Sequence, residues 1–339
     1  VAVESFPLSR LPVLGSSGRY QGSKEKIIYN KMLSLLDSFL RLTSQSPDAD
    51  ALILYDGEES SSISKLSRVE LLALADSIIA ATEGLLSPIG APVVLCFHAT
   101  TAGSVAGMLA SLYAEQPFLP IDASEPSTRW SWVLDNLSCM VILCNTESEK
   151  VARVLANDTE RLIINTDYLS LCNTERSIDE LLKEWTTRPL PNDGKGPRIT
   201  KYAINAATTL RAANKDCMYI MHTSGSTGTP KFVRCTGSGT LNRCDWAARL
   251  HPWAEGKDVC IAKTSLSFVD HIAEVFAPLR AGVALVVSAA SRKERFGGCG
   301  SSGTGAVLNW RDTTQLVEAC RRCRVTRMVV TPSLLRELL

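Results

Sequence analysis

The chain has 339 residues, of which 45% are hydrophobic and 21% are charged, and this composition is ordinary for a soluble α/β protein. Because 36 Lys and Arg residues are balanced by 35 Asp and Glu residues, no global field favours nucleic acid or an acidic membrane as a partner. The sequence holds no uninterrupted apolar run of about 18 residues, so we expect no membrane-spanning helix.

The predicted elements alternate along the first third of the chain. Residues 1–24 are rich in Ser, Gly and Pro, and this composition predicts a poorly ordered tail. Apolar periodicity and a capping-box spacing at Ser67 and Glu70 then define the next elements. These are helices over 25–42, 67–86 and 102–114 and strands over 51–55 and 92–97. This order predicts a mainly parallel sheet with crossover helices.

Eleven cysteines are present, and most of them lie inside apolar runs, where a free thiol behaves as a small hydrophobe. This usage favours a reducing compartment over a disulfide scaffold, so we expect a cytoplasmic protein. Cys320 and Cys323 form a CxxC pair, but neither a second pair nor a nearby His completes a zinc site. We therefore interpret them as two thiols near a helix end and predict no metal ligands.

The stretch from Cys217 to Lys231 carries the most specific chemistry. An apolar run ends abruptly in residues that are all Gly or hydroxyl-bearing, and Pro230 and Lys231 close it. Gly225 and Gly228 let the backbone approach a ligand, and successive N–H groups in such a loop form an anion-binding concavity. The hydroxyls and the lysine charge suit a triphosphate or a pyrophosphate.

This loop does not have the spacing of a Walker A motif, because only two residues separate its glycines and Pro230 removes a donor. The apolar residues Phe232 and Val233 follow the lysine, so we predict a strand, a mobile loop and a second strand. The alternative interpretation is a Gly/Ser-rich hairpin turn without a ligand.

The segment from Thr223 to Lys231 resembles the phosphate loop of the adenylate-forming superfamily, which includes acyl-CoA synthetases, luciferases and the adenylation domains of non-ribosomal peptide synthetases. The resemblance implies ATP-dependent activation of a carboxylic acid to an acyl-adenylate, with Mg²⁺, and then transfer to a thiol. It implies that Lys231 is catalytic. The ATP-binding residues that it implies are Thr223, Ser224, Gly225, Ser226, Thr227 and Gly228. Phe232 departs from the family, which usually has Gly there.

Two further regions match the same family. Residues 116–122, followed by Pro126 and Arg129, resemble a scaffold strand and helix, and residues 265–282 resemble the region that shapes the pocket for the carboxylate substrate. The resemblance implies an α/β fold with layered, mainly parallel sheets and flanking helices. It predicts that residues 25–339 form the large N-terminal domain of an adenylate-forming enzyme, incomplete at its C-terminal end.

The substrate region departs from the amino-acid activators at one position. Those enzymes carry Asp directly after the Phe, whereas here Val269 follows Phe268 and Asp270 comes one residue later. A carboxylate near a pocket can hold a substrate ammonium, and desolvation strengthens the attraction. The alternative is that Asp270 is a helix N-cap. His271 either lines the same pocket or is a surface histidine, and we include Phe268, Asp270 and His271 as candidate substrate-binding residues.

The resemblance loosely favours the branch that activates β-alanine or aminoadipate, together with its plant acyl-activating relatives. An amino-acid substrate implies a phosphopantetheine carrier as the acceptor, and a fatty acid implies CoA. The family's next motif is expected beyond Leu339, so we expect a fragment that is inactive by itself. The alternatives are a non-catalytic product that keeps part of the fold, or a fatty-acyl-CoA synthetase.

Overall fold

The predicted tail, residues 1–24, lies outside the part of the chain that can be described. The computed structural model describes residues 33–57, 63–82, 91–126, 130, 133–134, 136–137, 139–157, 161–169, 180, 182, 217–223, 231–289 and 310–338. These residues belong to one compact unit, Lys31–Leu339.

Strands occur at the apolar runs 51–55 and 92–97 from which they were predicted. Those of the described residues are β1 (Asp50–Tyr55), β2 (Ser64–Ser67), β3 (Val93–Phe97), β4 (Phe118–Asp122), β5 (Val141–Cys144), β6 (Leu162–Asn165), β7 (Cys217–Thr223), β8 (Lys231–Thr236), β9 (Val259–Ile261) and β10 (Ala284–Ser288).

Helices alternate with these strands over most of the chain. Within the described ranges they are α1 (Leu33–Gln45), α2 (Arg68–Ala81), α3 (Ala102–Tyr113), α4 (Glu149–Ala156), α5 (Gly237–Leu250), α6 (Asp270–Arg280), α7 (Thr313–Arg322) and α8 (Pro332–Leu338), with a 3₁₀ turn at Thr166–Tyr168.

Helix α2 begins with the predicted capping box. The Ser67 hydroxyl accepts a hydrogen bond from the Glu70 N–H, and the Glu70 carboxylate accepts one from the Ser67 N–H. The helix ends at Ala81, earlier than the predicted Leu86. The hydroxyl of Thr82 donates to the carbonyls of Ile78 and Ile79, which satisfies the last turn at that point.

The described strands form two sheets. The larger has the order β6–β5–β3–β4–β7–β8, and its neighbours are parallel except for the antiparallel pair β7 and β8. The smaller has the order β2–β1–β10–β9, in which β1 and β2 are the antiparallel pair. The prediction of layered, mainly parallel sheets with flanking helices is confirmed.

The main core lies between the sheets and is filled by the helices. Leu95 and Phe97 of β3 point into it together with Leu71 of α2 and Leu109 of α3. The alternate residues of the same strand, among them Val94, point into a second cluster on the outer face of the larger sheet. Because strand side chains alternate between faces, this continuous apolar run is buried on both sides.

Glycine lets α3 lie close to the larger sheet. A Cβ at Gly107 would stand 2.8 Å from a methyl of Leu143 and 2.9 Å from one of Leu95, and a Cβ at Gly103 would collide with Thr166. The small-residue composition of this helix is therefore a packing requirement. It brings the N-terminus of α3 next to the ends of β3 and β5.

The described cysteines are free and mostly buried, as the sequence predicts. Burial raises the pKa of Cys96, Cys144 and Cys260 to about 12, so these thiols stay protonated and pack as apolar groups. Cys320 lies in the last turn of α7 and Cys323 directly follows that helix, which confirms two thiols near a helix end. No described helix is long and apolar enough to cross a membrane.

Candidate functional site

The candidate site lies where β4 and β7 end. These neighbours are parallel and paired at Phe118 and Tyr219, and both run four residues further, to Asp122 and Thr223. Carboxyl ends of parallel strands meet at one edge of the sheet, and ligands of open α/β sheets bind outside that edge. The predicted phosphate loop therefore begins beside the end of β4.

Thr223 and Lys231 stand opposite each other at the base of a hairpin. They are paired residues of the antiparallel strands β7 and β8, and Lys231 is exposed. The two strands predicted on either side of the loop are confirmed. Residues 224–230 lie outside the described residues, so the roles of Ser224, Gly225, Ser226, Thr227 and Gly228 stay predictions.

Phe232, the departure from the family pattern, is half-buried and packs against the outer core cluster. Its apolar ring fixes the first residues of β8 to the sheet, directly beside Lys231. The backbone at the exit of the loop is thus held in place at the point where the family usually has a glycine.

His222 packs against aromatic and acidic side chains one residue before the loop. Its Nε2 lies 3.8 Å from Oε2 of Glu125, and its ring meets the edge of the Trp130 ring with the centroids 4.4 Å apart. This cluster was not predicted from the sequence, because Glu125 and Trp130 are both far from His222 along the chain. These contacts hold the side chain of His222 near the end of β7.

Asp122 ties the larger sheet to the segment before α6. The Oδ2 of this buried carboxylate accepts a hydrogen bond from the Ser265 hydroxyl at 2.5 Å, and its Oδ1 accepts one from the Ser124 N–H at 3.0 Å. The Asp122 N–H also points at the Ser267 hydroxyl at 3.4 Å. The sequence assigned no chemistry to Asp122, and the structure gives it a positioning role.

Glu274 holds the other end of the same segment. Its carboxylate, only 5% exposed, accepts hydrogen bonds from the Thr264 N–H at 2.9 Å and from the Thr264 hydroxyl at 2.7 Å. Burial raises the pKa of Glu274, and the bonds from Thr264 oppose that rise. Two acidic side chains from different elements therefore fix residues 264–267, which lead into the candidate substrate residues.

The candidate substrate residues begin with two apolar side chains that face solvent. Phe268 is 62% exposed and Val269 is 53% exposed. Asp270 follows as the first residue of α6, and its Oδ1 lies 2.5 Å from Nη2 of Arg243 on α5. The side chains of 268–270 are thus accessible, and the carboxylate among them already has a cationic partner.

The alternative that Asp270 is the N-cap of α6 is wrong. Val269 is the residue at the cap position, and its backbone is already helical, with φ −60° and ψ −29°. The first turn is closed by hydrogen bonds from His271 N–H to Phe268 and from Ile272 N–H to Val269. Asp270 therefore lies inside the first turn, where its side chain is directed to Arg243 instead of the helix backbone.

His271 is fully buried, so the surface alternative for this residue is wrong. Its Nδ1 lies 3.2 Å from the Thr100 hydroxyl, which follows β3. Desolvation lowers the pKa of His271 from 6.5 to about 4, and a contact with the Thr264 backbone offsets part of that change. The imidazole is therefore neutral at pH 7 and belongs to the packing beneath the exposed residues 268–270.

The described residues contain no group of three or more His, Cys, Asp or Glu side chains arranged to hold a metal ion. Among the described residues, the candidate site consists of the Thr223 hydroxyl, the Lys231 ammonium group and the Arg243–Asp270 ion pair. Thr223 and Lys231 suit an anion, whereas Asp270 and Arg243 present both signs of charge next to apolar surface.

Comparison with protein families and curated proteins shows what this chain is similar to. The family described as AMP-binding enzyme matches residues 43–339. The beta-alanyl-bioamine nonribosomal peptide synthetase ebony of Drosophila melanogaster is 28% identical over 247 residues, 73% of this chain and 23% of that protein. The D-alanine--D-alanyl carrier protein ligase of Bacillus velezensis is 22% identical over 250 residues, 74% of this chain and 42% of that protein. The chain spans less than half the length of both relatives.

Solved structures share the fold. The nonribosomal peptide synthetase FmoA3 in its α-methyl-L-serine-AMP bound form has a TM-score of 0.61 at 20% identity, over 90% of this chain and 27% of that one. The Vibrio cholerae adenylation domain AlmE in complex with glycyl-adenosine-5′-phosphate has a TM-score of 0.61 at 14% identity, over 94% of this chain and 52% of that one. At such identities these likenesses show the architecture alone.

Proposed function

We propose that this chain, which belongs to the AMP-binding enzyme family, forms the ATP-binding and acid-binding part of an enzyme that activates a carboxylic acid. In the proposed reaction a carboxylate oxygen attacks the α-phosphorus of ATP. The bond to the bridging oxygen breaks, and pyrophosphate leaves with that oxygen. A thiol then attacks the acyl carbon, loses its proton and releases AMP.

The observation that carries this proposal is the pairing of Thr223 with Lys231 at the base of a hairpin, beside the carboxyl end of β4. Transfer of a phosphoryl group depends on positioning and on neutralisation of charge more than on a protein nucleophile. Lys231 supplies positive charge for the departing pyrophosphate, and the Thr223 hydroxyl supplies a hydrogen bond. Ser224, Gly225, Ser226, Thr227 and Gly228 complete the proposed cradle.

Mg²⁺ accompanies ATP in this proposal and, when bound, neutralises phosphate charge. The described residues do not present a cluster that fits a metal ion, so no ligand is assigned to it and no step is derived through it. The contribution of this chain is the hydroxyl and lysine contacts to the nucleotide.

An amino acid is the substrate class that the relatives support best. Their names refer to β-alanyl and D-alanyl groups, and the AlmE structure contains a glycyl-adenylate. We propose that Asp270 binds the substrate ammonium while Phe268 provides apolar contact. Because this carboxylate lies one residue later than in activators of α-amino acids, an amino group further from the carboxyl group, as in β-alanine, fits the proposal.

The proposed acceptor is the phosphopantetheine thiol of a carrier protein. This assignment is supported by the carrier-protein ligase among the relatives and by the peptide-synthetase adenylation folds. A preference for CoA and for plain fatty acids would instead place the protein with the acyl-CoA synthetases.

Replacing Lys231 by Ala in the full-length protein tests the nucleotide role. We expect ATP–pyrophosphate exchange to fall by about 100-fold, the loss typical of one preorganised contact to developing charge. Arg234→Ala is the matched control, because Arg234 is an exposed cation on the same strand whose side chain alternates to the other face. Near-normal exchange by Lys231→Ala, or an equal loss in both variants, would remove Lys231 from the mechanism.

A further inference from the structure

Two ion pairs join α5 to α6. Helix α5 supplies the cation in one of them and the anion in the other. Arg243 of α5 pairs with Asp270 at the start of α6, with Nη2 and Oδ1 2.5 Å apart. Asp245 of α5 pairs with Arg280 at the end of α6, with Oδ1 and Nη1 2.8 Å apart. The first pair lies beside the candidate substrate residues, whereas the second lies at the opposite end of α6.

Arg243 lies on α5, the helix that packs beside the start of α6. Helix α5 begins at Gly237, directly after β8, which is the strand that leaves the phosphate loop. Helix α6 follows the segment that Asp122 and Glu274 hold. Arg243 thus belongs to the helix that follows the second strand of the phosphate-loop hairpin, and its guanidinium contacts the first carboxylate on the acid side.

We propose that Arg243 is a specificity-determining residue, an internal counter-ion that occupies Asp270 until a substrate ammonium displaces it. This inference rests on the proposed function and assigns one more residue to its substrate site. An amino-acid substrate exchanges one cation for another at Asp270. An acid without an amino group offers nothing to Asp270, so the Arg243 pair stays closed and no affinity is gained there.

The solvent exposure of the Arg243–Asp270 pair limits how much the loss of this pair can change the affinity for substrate. The Arg243 and Asp270 side chains are 51% and 47% exposed, and ion pairs in such surroundings change equilibria by no more than about fivefold. A substrate ammonium can therefore displace the guanidinium at little cost. A deeply buried pair would instead have excluded the substrate.

Packing between the helices does not depend on Arg243. Cys244, the next residue, is buried in the main core, and the Asp245–Arg280 pair is independent of Asp270. Removing the Arg243 charge should therefore leave α5 in place. Asp245→Asn is the matched control, because it breaks the other ion pair between the same two helices.

The test compares β-alanine with propionate, which differs from it only by the absent amino group, in ATP–pyrophosphate exchange by the full-length protein. Arg243→Gln should lower the KM for β-alanine two- to fivefold, leave kcat unchanged and leave the propionate values unchanged. Asp270→Asn should raise the KM for β-alanine. Arg243→Gln should have no further effect in the Asp270→Asn background, and Asp245→Asn should match the unmodified protein.

Calorimetry with sulfamoyl-adenosine analogues of β-alanine and of propionate provides a readout that does not need turnover. Tighter binding of only the amino analogue by Arg243→Gln supports the inference. Weaker or unchanged binding, or equal effects on both analogues, overturns it. If the protein exchanges pyrophosphate with propionate as well as with β-alanine and no variant changes the preference between them, the inference is overturned and acid activation still stands. If the protein exchanges pyrophosphate with no acid, the result counts against the proposed function itself.

Discussion

His271 shows how sharply the environment changes between neighbouring residues. Asp270 is about half exposed, whereas His271 is fully buried and shares a hydrogen bond with Thr100. One helical residue rotates the side chain by about 100°, so a helix that begins at the surface turns its second residue into the core. The sequence marked both residues as candidates, but their opposite exposure follows from the orientation of α6.

The burial of His271 makes the free energy of unfolding depend on pH. The pKa of His271 falls from 6.5 in the unfolded chain to about 4 in the folded one. The stability supplied by the neutral imidazole is complete above pH 6.5 and is lost as the pH falls toward 4, because the unfolded chain then binds the extra proton. The expected loss of unfolding free energy is about 3 kcal/mol.

Urea unfolding of the protein and of His271→Asn between pH 7 and pH 4 measures this loss. Asn keeps a polar group near the position of Nδ1 but does not titrate. Glu274, whose pKa is raised, titrates in both proteins and cancels in the difference. The advantage of the unmodified protein over His271→Asn should shrink as the pH is lowered, and parallel curves would show that His271 does not titrate as proposed.

At the scale of elements, the turn between α6 and β10 depends on a glycine. Gly282 has φ +70°, and a Cβ there would lie 2.6 Å from Oε1 of Glu255 and 2.7 Å from Nη2 of Arg68. The Arg68 guanidinium also donates hydrogen bonds to the carbonyls of Leu42 and Gly282. One buried arginine thus joins the end of α1, the start of α2 and this turn.

Gly282→Ala should lower the free energy of unfolding by about 2–4 kcal/mol, since the added Cβ strains the positive φ and also displaces the buried Arg68 guanidinium, which pairs with Glu255 at 2.8 Å. Gly256→Ala is the control, because Gly256 also has φ +70° but has no atom within 4 Å of the added Cβ. That variant should lose about 1 kcal/mol. Equal losses in thermal unfolding would show that the contacts around Gly282 contribute nothing.

The helices and strands that could be predicted are those encoded by a few neighbouring residues. The capping box of α2 and the apolar runs of β1 and β3 carry their information within a few neighbouring residues. The partners that build the site are distant instead. Asp122 and Ser265 are separated by 143 positions and Arg243 and Asp270 by 27, and no local pattern encodes these pairs. The N-cap alternative for Asp270 was wrong because Val269, the residue before it, already has helical backbone angles and the first turn is closed by 3₁₀-type hydrogen bonds.

At the scale of the whole molecule, two sheets enclose one core and present the site at an edge of the larger sheet. The parallel order followed from the alternation of elements, but the pairing of β1 with β10, from opposite ends of the chain, did not. This architecture brings the strand before the phosphate loop beside Asp122, which in turn holds the segment that leads to the substrate residues. Nucleotide and acid are thereby proposed to meet at one edge.

The most direct measurement is ATP–pyrophosphate exchange by the full-length protein with a panel of β-alanine, α-amino acids and fatty acids. We expect exchange that depends on an added amino acid, with β-alanine preferred over fatty acids, because Asp270 offers a carboxylate to an amino group. Preference for plain fatty acids would contradict the ammonium role of Asp270. A folded protein that exchanges pyrophosphate with no acid in the panel would contradict acid activation itself.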